Sequence, residues 1–360
     1  MSFLDLRRPV TAALVLLGAT LLLAAGSAGA AGPLVAYNMY PLVSDGAAVP
    51  APLADSAFVN GWGLSASATS PWWTANQKTN TSTLYSGVGS KSALVVTVAG
   101  GPTGTVASSS ATDFPVSQNN VTAPSRFLFD TLAGQLLGWA PTVNGTNAIV
   151  AVDNSASGAE YTGLATANDR LYAADFHNAR VDSFDASFKP LSLPFKDPGI
   201  PAGWAPFGIQ AIGGNIFVAY AKQDPSKKFS VPGGGLGYVD EFSPDGTFMA
   251  RIASKGNANA PLNAPWGLAM APANFGAYSG DLLVGNFGNG RISAYQLRST
   301  DNKWVYKGQI RVASGAPIVI DGLWAIGFGN GASAGPTNNL YFAAGPSGGT
   351  HGLFGFVAVG

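Results

Sequence analysis

Residues 171–185 read LYAADFHNARVDSFD. Leu171 to Ala174 is apolar and β-prone, Asp175 to Arg180 is a polar knot, and Val181 to Phe184 is a second strand-like run. Two such runs around a short polar turn make a β-hairpin. Residues 282–295, LLVGNFGNGRISAY, repeat the arrangement, with Asn286-Phe287, Asn289 and Arg291-Ile292 at equivalent offsets. A hairpin that recurs within one chain points to a repeat architecture.

Outward from these hairpins a shorter signature returns along the whole chain: a turn residue, often an aromatic, then Gly or Ala, then an aliphatic or β-branched residue. It reads Gly61-Trp62-Gly63-Leu64, Pro102-Thr103-Gly104-Thr105, Tyr161-Thr162-Gly163-Leu164, Pro206-Phe207-Gly208-Ile209, Pro265-Trp266-Gly267-Leu268 and Leu323-Trp324-Ala325-Ile326. Each copy leads into strand-like runs separated by polar turns. Units of roughly 40–60 residues holding about four strands have the period of propeller blades. The innermost strand of a blade needs Gly for close approach and an aliphatic to fill the centre, which accounts for the signature as packing. The fold class expected is all-β, a six-bladed β-propeller.

The two ends of the chain are expected to meet. Leu94 to Val98, Ile149 to Val152 and Gln309 to Val312 read as outer strands of their blades. The last unit stops one strand short, and residues 35–43 form a strand-like segment with no blade of its own. Placing that segment as the outer strand of blade six closes the ring and removes an open edge.

Composition agrees with this architecture. Of 360 residues, 47 are Gly and 24 Pro, 47% are hydrophobic and only 11% charged. Such a mixture suits short strands and tight turns, and it is too apolar for disorder. Nineteen basic and nineteen acidic residues balance. With no basic stripe to neutralise a phosphate backbone, nucleic acid is not an expected partner.

Arg7 and Arg8 precede an apolar run from Val10 to Ala25, and Ala28-Gly29-Ala30 supplies a small-x-small cleavage pattern. Residues 1–30 therefore read as a signal peptide and residues 31–360 as a single propeller domain. The expectation is a secreted or periplasmic protein, monomeric and free of the membrane after cleavage. The chain has no cysteine, so disulfides and lipoprotein anchoring are excluded.

The hairpin pattern (Asp/Asn)-x-x-Asn-x-Arg-(Val/Ile)-x-x-aromatic resembles the NHL-repeat type of propeller. Asp175, Asn178, Arg180, Val181 and Phe184 match it, as do Asn286, Asn289, Arg291, Ile292 and Tyr295. Beyond this, the chain resembles a family of uncharacterised exported bacterial proteins with an NHL-like six-bladed propeller. The segments carrying the likeness include Leu42-Val43-Ser44-Asp45, Val152-Asp153-Asn154-Ser155, Tyr220-Ala221-Lys222-Gln223-Asp224, Ile320-Asp321-Gly322-Leu323-Trp324 and His351-Gly352-Leu353-Phe354. The resemblance implies a propeller and no particular activity. Some members carry a PEP-CTERM sorting tail, and no such tail is expected here.

Strand direction alternates within a blade, so loops entering the innermost strands share a face with the hairpins between second and third strands. Ligand contacts are expected on that face, from Trp62, Asn76, Phe207, Lys222, Trp266, Asn286 and Trp324. The two histidines, His177 and His351, fall in hairpins of blades three and six. With Asp175 and Asp321 they are the candidate catalytic residues, because imidazole and carboxylate side chains perform acid–base work or bind metal. Turn chemistry explains the same residues without function. The long 222–235 stretch, with Lys222, Lys227 and Lys228, reads as a lid or as filler. No Gly-x-Ser-x-Gly is expected in a strand-turn-helix context, and there is no phosphate loop or His-Glu-x-x-His pattern. The function expected is a non-catalytic binding scaffold for an extracellular protein, glycan or small ligand, with no cofactor required. The alternative is a metal-assisted hydrolase or lyase holding a divalent metal at the axial channel.

Overall fold

The computed structural model describes residues 35–360 apart from 48, 109 and 258–259. The stretch read as a signal peptide lies outside the described residues. Blade one comprises Gly61–Ser65, Trp72–Asn76, Thr81–Tyr85 and Lys91–Thr97, ordered from the axis outward. Blade two comprises Pro102–Ala107, Phe127–Thr131, Gln135–Trp139 and Ile149–Asp153. Tyr161–Ala167, Arg170–Asp175, Arg180–Phe184 and Pro190–Leu191 make blade three, and Trp204–Ile212, Asn215–Lys222, Tyr238–Phe242 and Phe248–Ala253 make blade four. Blade five is Pro265–Met270, Leu282–Asn286, Ile292–Arg298 and Lys303–Gln309; blade six is Leu323–Phe328, Leu340–Ala344 and Leu353–Val359, joined by Tyr37–Ser44. The architecture is a six-bladed, all-β propeller whose six innermost strands all begin in or beside the repeated signature.

The signature glycines are forced by proximity of neighbouring inner strands. A Cβ on Gly208 would lie 2.0 Å from the Trp266 carbonyl oxygen, and one on Gly63 would lie 2.4 Å from that of Thr103. Both contacts are with backbone, which has no side-chain freedom with which to retreat.

Alternation along each strand sends its side chains to opposite faces, so every blade contributes to two interblade cores. In blade three, Leu171 and Ala173 pack toward blade two with Leu128, Leu136 and Val106, whereas Tyr172 and Ala174 pack toward blade four with Ile209 and Val218. Between blades one and two, Trp73 stacks on Phe127 with ring centroids 4.0 Å apart. Fully burying one such side chain contributes roughly 1.5–3 kcal/mol.

Tyr37–Ser44 runs antiparallel to Leu353–Val359, with Tyr37 opposite Val359 and Ser44 opposite Leu353. A two-residue strand, Leu53–Ala54, then adds in parallel beyond it. The N-terminal segment is pinned on both sides of the junction between blades six and one. Asp45 pairs with His351 at 2.7 Å, and Asp55 accepts from Tyr85 Oη at 2.5 Å and pairs with Lys91 Nζ at 2.8 Å. Burial pushes the Asp55 carboxyl upward, but Lys91 and Tyr85 outweigh it and hold the group below the usual carboxylate range. Trp72 Nε1 donates to the Ala334 carbonyl and Tyr341 Oη to that of Gly87, sewing the same junction.

Two details differ from the reading of the sequence. The outer strand of blade five is Lys303–Gln309, which pairs with Ile292–Arg298, so only Gln309 of residues 309–312 belongs to it and the rest follow the strand. Trp304 packs at that edge against Phe217. Blade two also carries an inserted hairpin, Pro115–Gln118 with Val121–Pro124, between its first and second strands.

Candidate functional site

At the end of the axis where the inner strands begin, the aromatic residues of the signature converge and fill the space. Trp324 stacks on Trp62 at 3.7 Å and on Phe287 at 3.9 Å, and Trp266 and Phe207 meet it edge-on at 6.1 and 5.7 Å. Trp62, Phe207, Trp266 and Trp324 are all buried. Their polar handles are mostly used internally: Trp324 Nε1 donates to Asn60 Oδ1 and Trp266 Nε1 to the Thr162 carbonyl two blades away. This end is an aromatic plug.

The hairpin residues around the plug serve it. Asp175 is fully buried and accepts from the backbone N–H groups of Asn178 and Glu160 and from Asn178 Nδ2. Burial pushes its carboxyl up. Asn286, its counterpart in blade five, accepts from the Asn263 N–H at 2.9 Å and donates to the Arg291 carbonyl. In both blades one side chain therefore ties the hairpin to the connector entering the inner strand. Asn76 is also buried and donates to Thr81 and Thr83.

The candidate catalytic residues do not converge. His351 Nδ1 faces Asp45, Asp321 Oδ2 accepts from the Ser347 N–H, and Asp175 is held in its turn. His177 is half-buried with Nδ1 unpartnered, beside Gly158. Among the described residues no group of three or more His, Asp or Glu side chains is placed to hold a metal ion.

Lys222 is exposed at the start of the 222–235 loop. That loop is knitted to its neighbours: Gln223 Nε2 donates to the Phe176 carbonyl, Lys228 pairs with Glu160, and Gly233 N–H donates to Asn263 Oδ1. Asp224 caps its tip through the N–H groups of Lys228 and Phe229.

The opposite end of the axis is open. A funnel of about 380 Å³ lies where the six inner strands finish. Its wall takes Ser65 and Ala66 from blade one, Thr105 and Ala107 from blade two, and Thr166 from blade three. Gln210 and Ala211 come from blade four, Leu268 and Met270 from blade five, and Ile326 and Phe328 from blade six. Below it the channel narrows to a space of about 20 Å³ bounded by Trp266, the underside of the plug. No side chain of the funnel wall titrates. Ser65 Oγ and Thr105 Oγ1 lie 3.3 Å apart, while Asn330 is occupied by the Ser67 and Ser70 carbonyls. The Gln210 amide is exposed and has no intramolecular hydrogen bond among the described residues. A recess of about 170 Å³ adjoins the funnel, sharing Ala107 and Thr166 with it, and carries Asp113 and Asp169.

Sequence reasoning missed this funnel. The available signal was the run of small or uncharged residues closing each inner strand, such as Ser65-Ala66 and Gln210-Ala211. It also missed the burial of two carboxylates. Asp130 accepts from Thr103 Oγ1 and from the Gly104 N–H, welding blade two to its inner strand, and burial raises it to about 6. Asp240 and Asp197 both clasp Arg251, whose guanidinium lies 4.7 Å over the Tyr238 ring; burial raises Asp240 to about 7.

By fold and site the protein is a six-bladed, all-β propeller with a neutral axial funnel. No family model matches the chain. Two uncharacterized proteins of Acanthamoeba polyphaga mimivirus are 32% and 31% identical to it over 283 residues, covering 75% of this chain and 68% and 73% of theirs. The chain belongs to the family of these viral proteins. A third protein of the same virus is 34% identical over 221 residues, and the match spans 59% of this chain but only 40% of that relative. Among solved structures, a protein of unknown function from Bacteroides thetaiotaomicron covers 89% of this chain and 76% of its own, with a TM-score of 0.56 at 14% identity. The soluble aldose sugar dehydrogenase of Escherichia coli covers 90% of this chain and 100% of its own, with a TM-score of 0.52 at 12% identity. These two likenesses speak to the fold alone.

Proposed function

We propose that the protein is an exported, non-catalytic binding module that holds a small uncharged ligand in the axial funnel. The observation carrying this reading is that all six inner strands contribute to the funnel wall while none of the wall side chains titrates. A volume of about 380 Å³ falls within the roughly 300–1,000 Å³ of ligand pockets. Acid–base or nucleophilic catalysis needs a titratable group within hydrogen-bond reach of the reacting atoms. The hydroxyls of Ser65 and Thr105 have no base beside them in that wall. Of the residues a metal-assisted hydrolase or lyase would use, alone or together, His351 faces Asp45, Asp321 accepts from the Ser347 N–H and Asp175 is held in its turn, and neither they nor His177 line the funnel.

The test is a binding screen of small molecules against the purified protein by ligand-observed NMR, followed by calorimetry. Binding should saturate, disappear in Ala211→Trp, which fills the funnel, and survive His177→Ala combined with His351→Ala. Binding that ignores Ala211→Trp, or that vanishes with the two histidines, overturns the proposal.

A further inference from the structure

The geometry points to a neutral, polyhydroxylated ligand: we infer that the funnel takes the terminal ring of a glycan and that the adjoining recess receives the next ring. This inference rests on the funnel being the binding site, and it narrows the ligand by exclusion and by fit.

Charge excludes the anions. An anionic ligand would shed its water in the funnel with no cation in the wall to replace it. The recess that opens off the funnel carries Asp113 and Asp169, which repel negative charge. A cationic ligand gains nothing in the funnel itself, where no carboxylate lines the wall. A purely apolar ligand fails for the opposite reason. It would strip water from the free Gln210 amide and from the Ser65–Thr105 hydroxyl pair and return no hydrogen bond.

What remains is a molecule with apolar faces and groups that both donate and accept. Hydroxyls do both, and the Gln210 amide answers them with two donors and an acceptor. Blades one and four are diametrically opposed in a ring of six, so Ser65 and Gln210 address opposite edges of the same ring-shaped guest. Met270 and Phe328, half-buried on the intervening blades five and six, supply apolar surface for its C–H faces. Beyond the rim, the Asp113 and Asp169 carboxylates are acceptors for the hydroxyls of a second ring, and acceptors of that charge make the stronger hydrogen bonds.

The experiment is calorimetric titration of the purified protein with neutral methyl glycosides, neutral di- and trisaccharides, uronic acids, simple amines and apolar aromatics. Neutral sugars should bind, disaccharides at least tenfold tighter than single rings, and uronic acids at least tenfold weaker than their neutral parents. Gln210→Leu should weaken every sugar tenfold or more, and Asp113→Asn with Asp169→Asn should abolish only the gain from the second ring. Thermal melts confirm that the variants fold, and Ala66→Trp replaces Ala211→Trp as the blocking variant if the latter does not. Apolar, anionic or cationic compounds that bind in place of neutral sugars, and are blocked by filling the funnel, overturn the ligand class while leaving the site intact. Sugars that bind regardless of the blocked funnel, or no binding by any compound, overturn both the class and the site.

Discussion

The two ends of one axis are built from the same six strands and reach opposite outcomes. Where the strands begin, Trp62, Phe207, Trp266 and Trp324 stack until the channel is closed. Where they finish, Ser65, Thr105, Gln210 and Ala211 leave it open. Aromatic residues at loop ends are often ligand contacts, but six blades bring them to a common centre, where ring stacking and dehydration favour their packing on each other. The lesson is that convergence on an axis turns a surface signal into a core signal. The plugged end also gathers structural tasks: the buried turn residues and the His351–Asp45 pair lie at or beside it.

That contrast can be broken in order of effect. Removing residues 35–44 strips blade six of its outer strand and frees its edge, and the whole domain should lose cooperative folding. Circular dichroism melts check this, and a truncated protein with unchanged Tm would show that closure lies elsewhere. Next, Trp324→Ala empties the middle of the plug and should cost about 3–5 kcal/mol in denaturant unfolding. A cost below about 1 kcal/mol would mean the aromatic stack is not a core.

The buried Asp130 offers a sharper probe of the interior. Its folded-state value, near 6, lies above the ordinary carboxylate value, so the folded protein prefers the protonated form. That stabilisation is fully present below about pH 4 and is lost as pH rises through about 6, amounting to roughly 2–3 kcal/mol. The unfolding free energy of Asp130→Asn, measured across pH 4 to 7, should lack this part of the wild-type slope. Identical slopes would place the carboxyl in a wetter setting. The smallest effect belongs to the open end: Gln210→Leu should leave stability within about 0.5 kcal/mol of wild type. A large loss there would make Gln210 a structural residue and remove the contrast between the two ends.

Much of the fold was legible because its causes are local. Gly63, Gly208 and Gly267 announce inner strands that touch backbone to backbone, and alternation in 171–174 sends Leu171 and Tyr172 to different cores. The Asp175 and Asn286 hairpins were legible for the same reason, since each performs its turn chemistry within a few residues and one connector. The funnel was not. Ser65, Thr105 and Gln210 belong to three blades, and nothing in any one segment distinguishes them from ordinary strand ends. Asp130 escaped notice because its environment is made by Thr103, Gly104 and the neighbouring blade, and not by its own strand.

By itself the sequence determined six repeated units, the strand character of each, and a composition too poor in charge to build a polyanion site. Those properties follow from side-chain period and residue type, which act over a few positions. Only the tertiary structure decided which end of the axis would be filled. A cavity is the volume left over after six separate strands have packed, so it depends on the sum of side chains that the chain order keeps far apart.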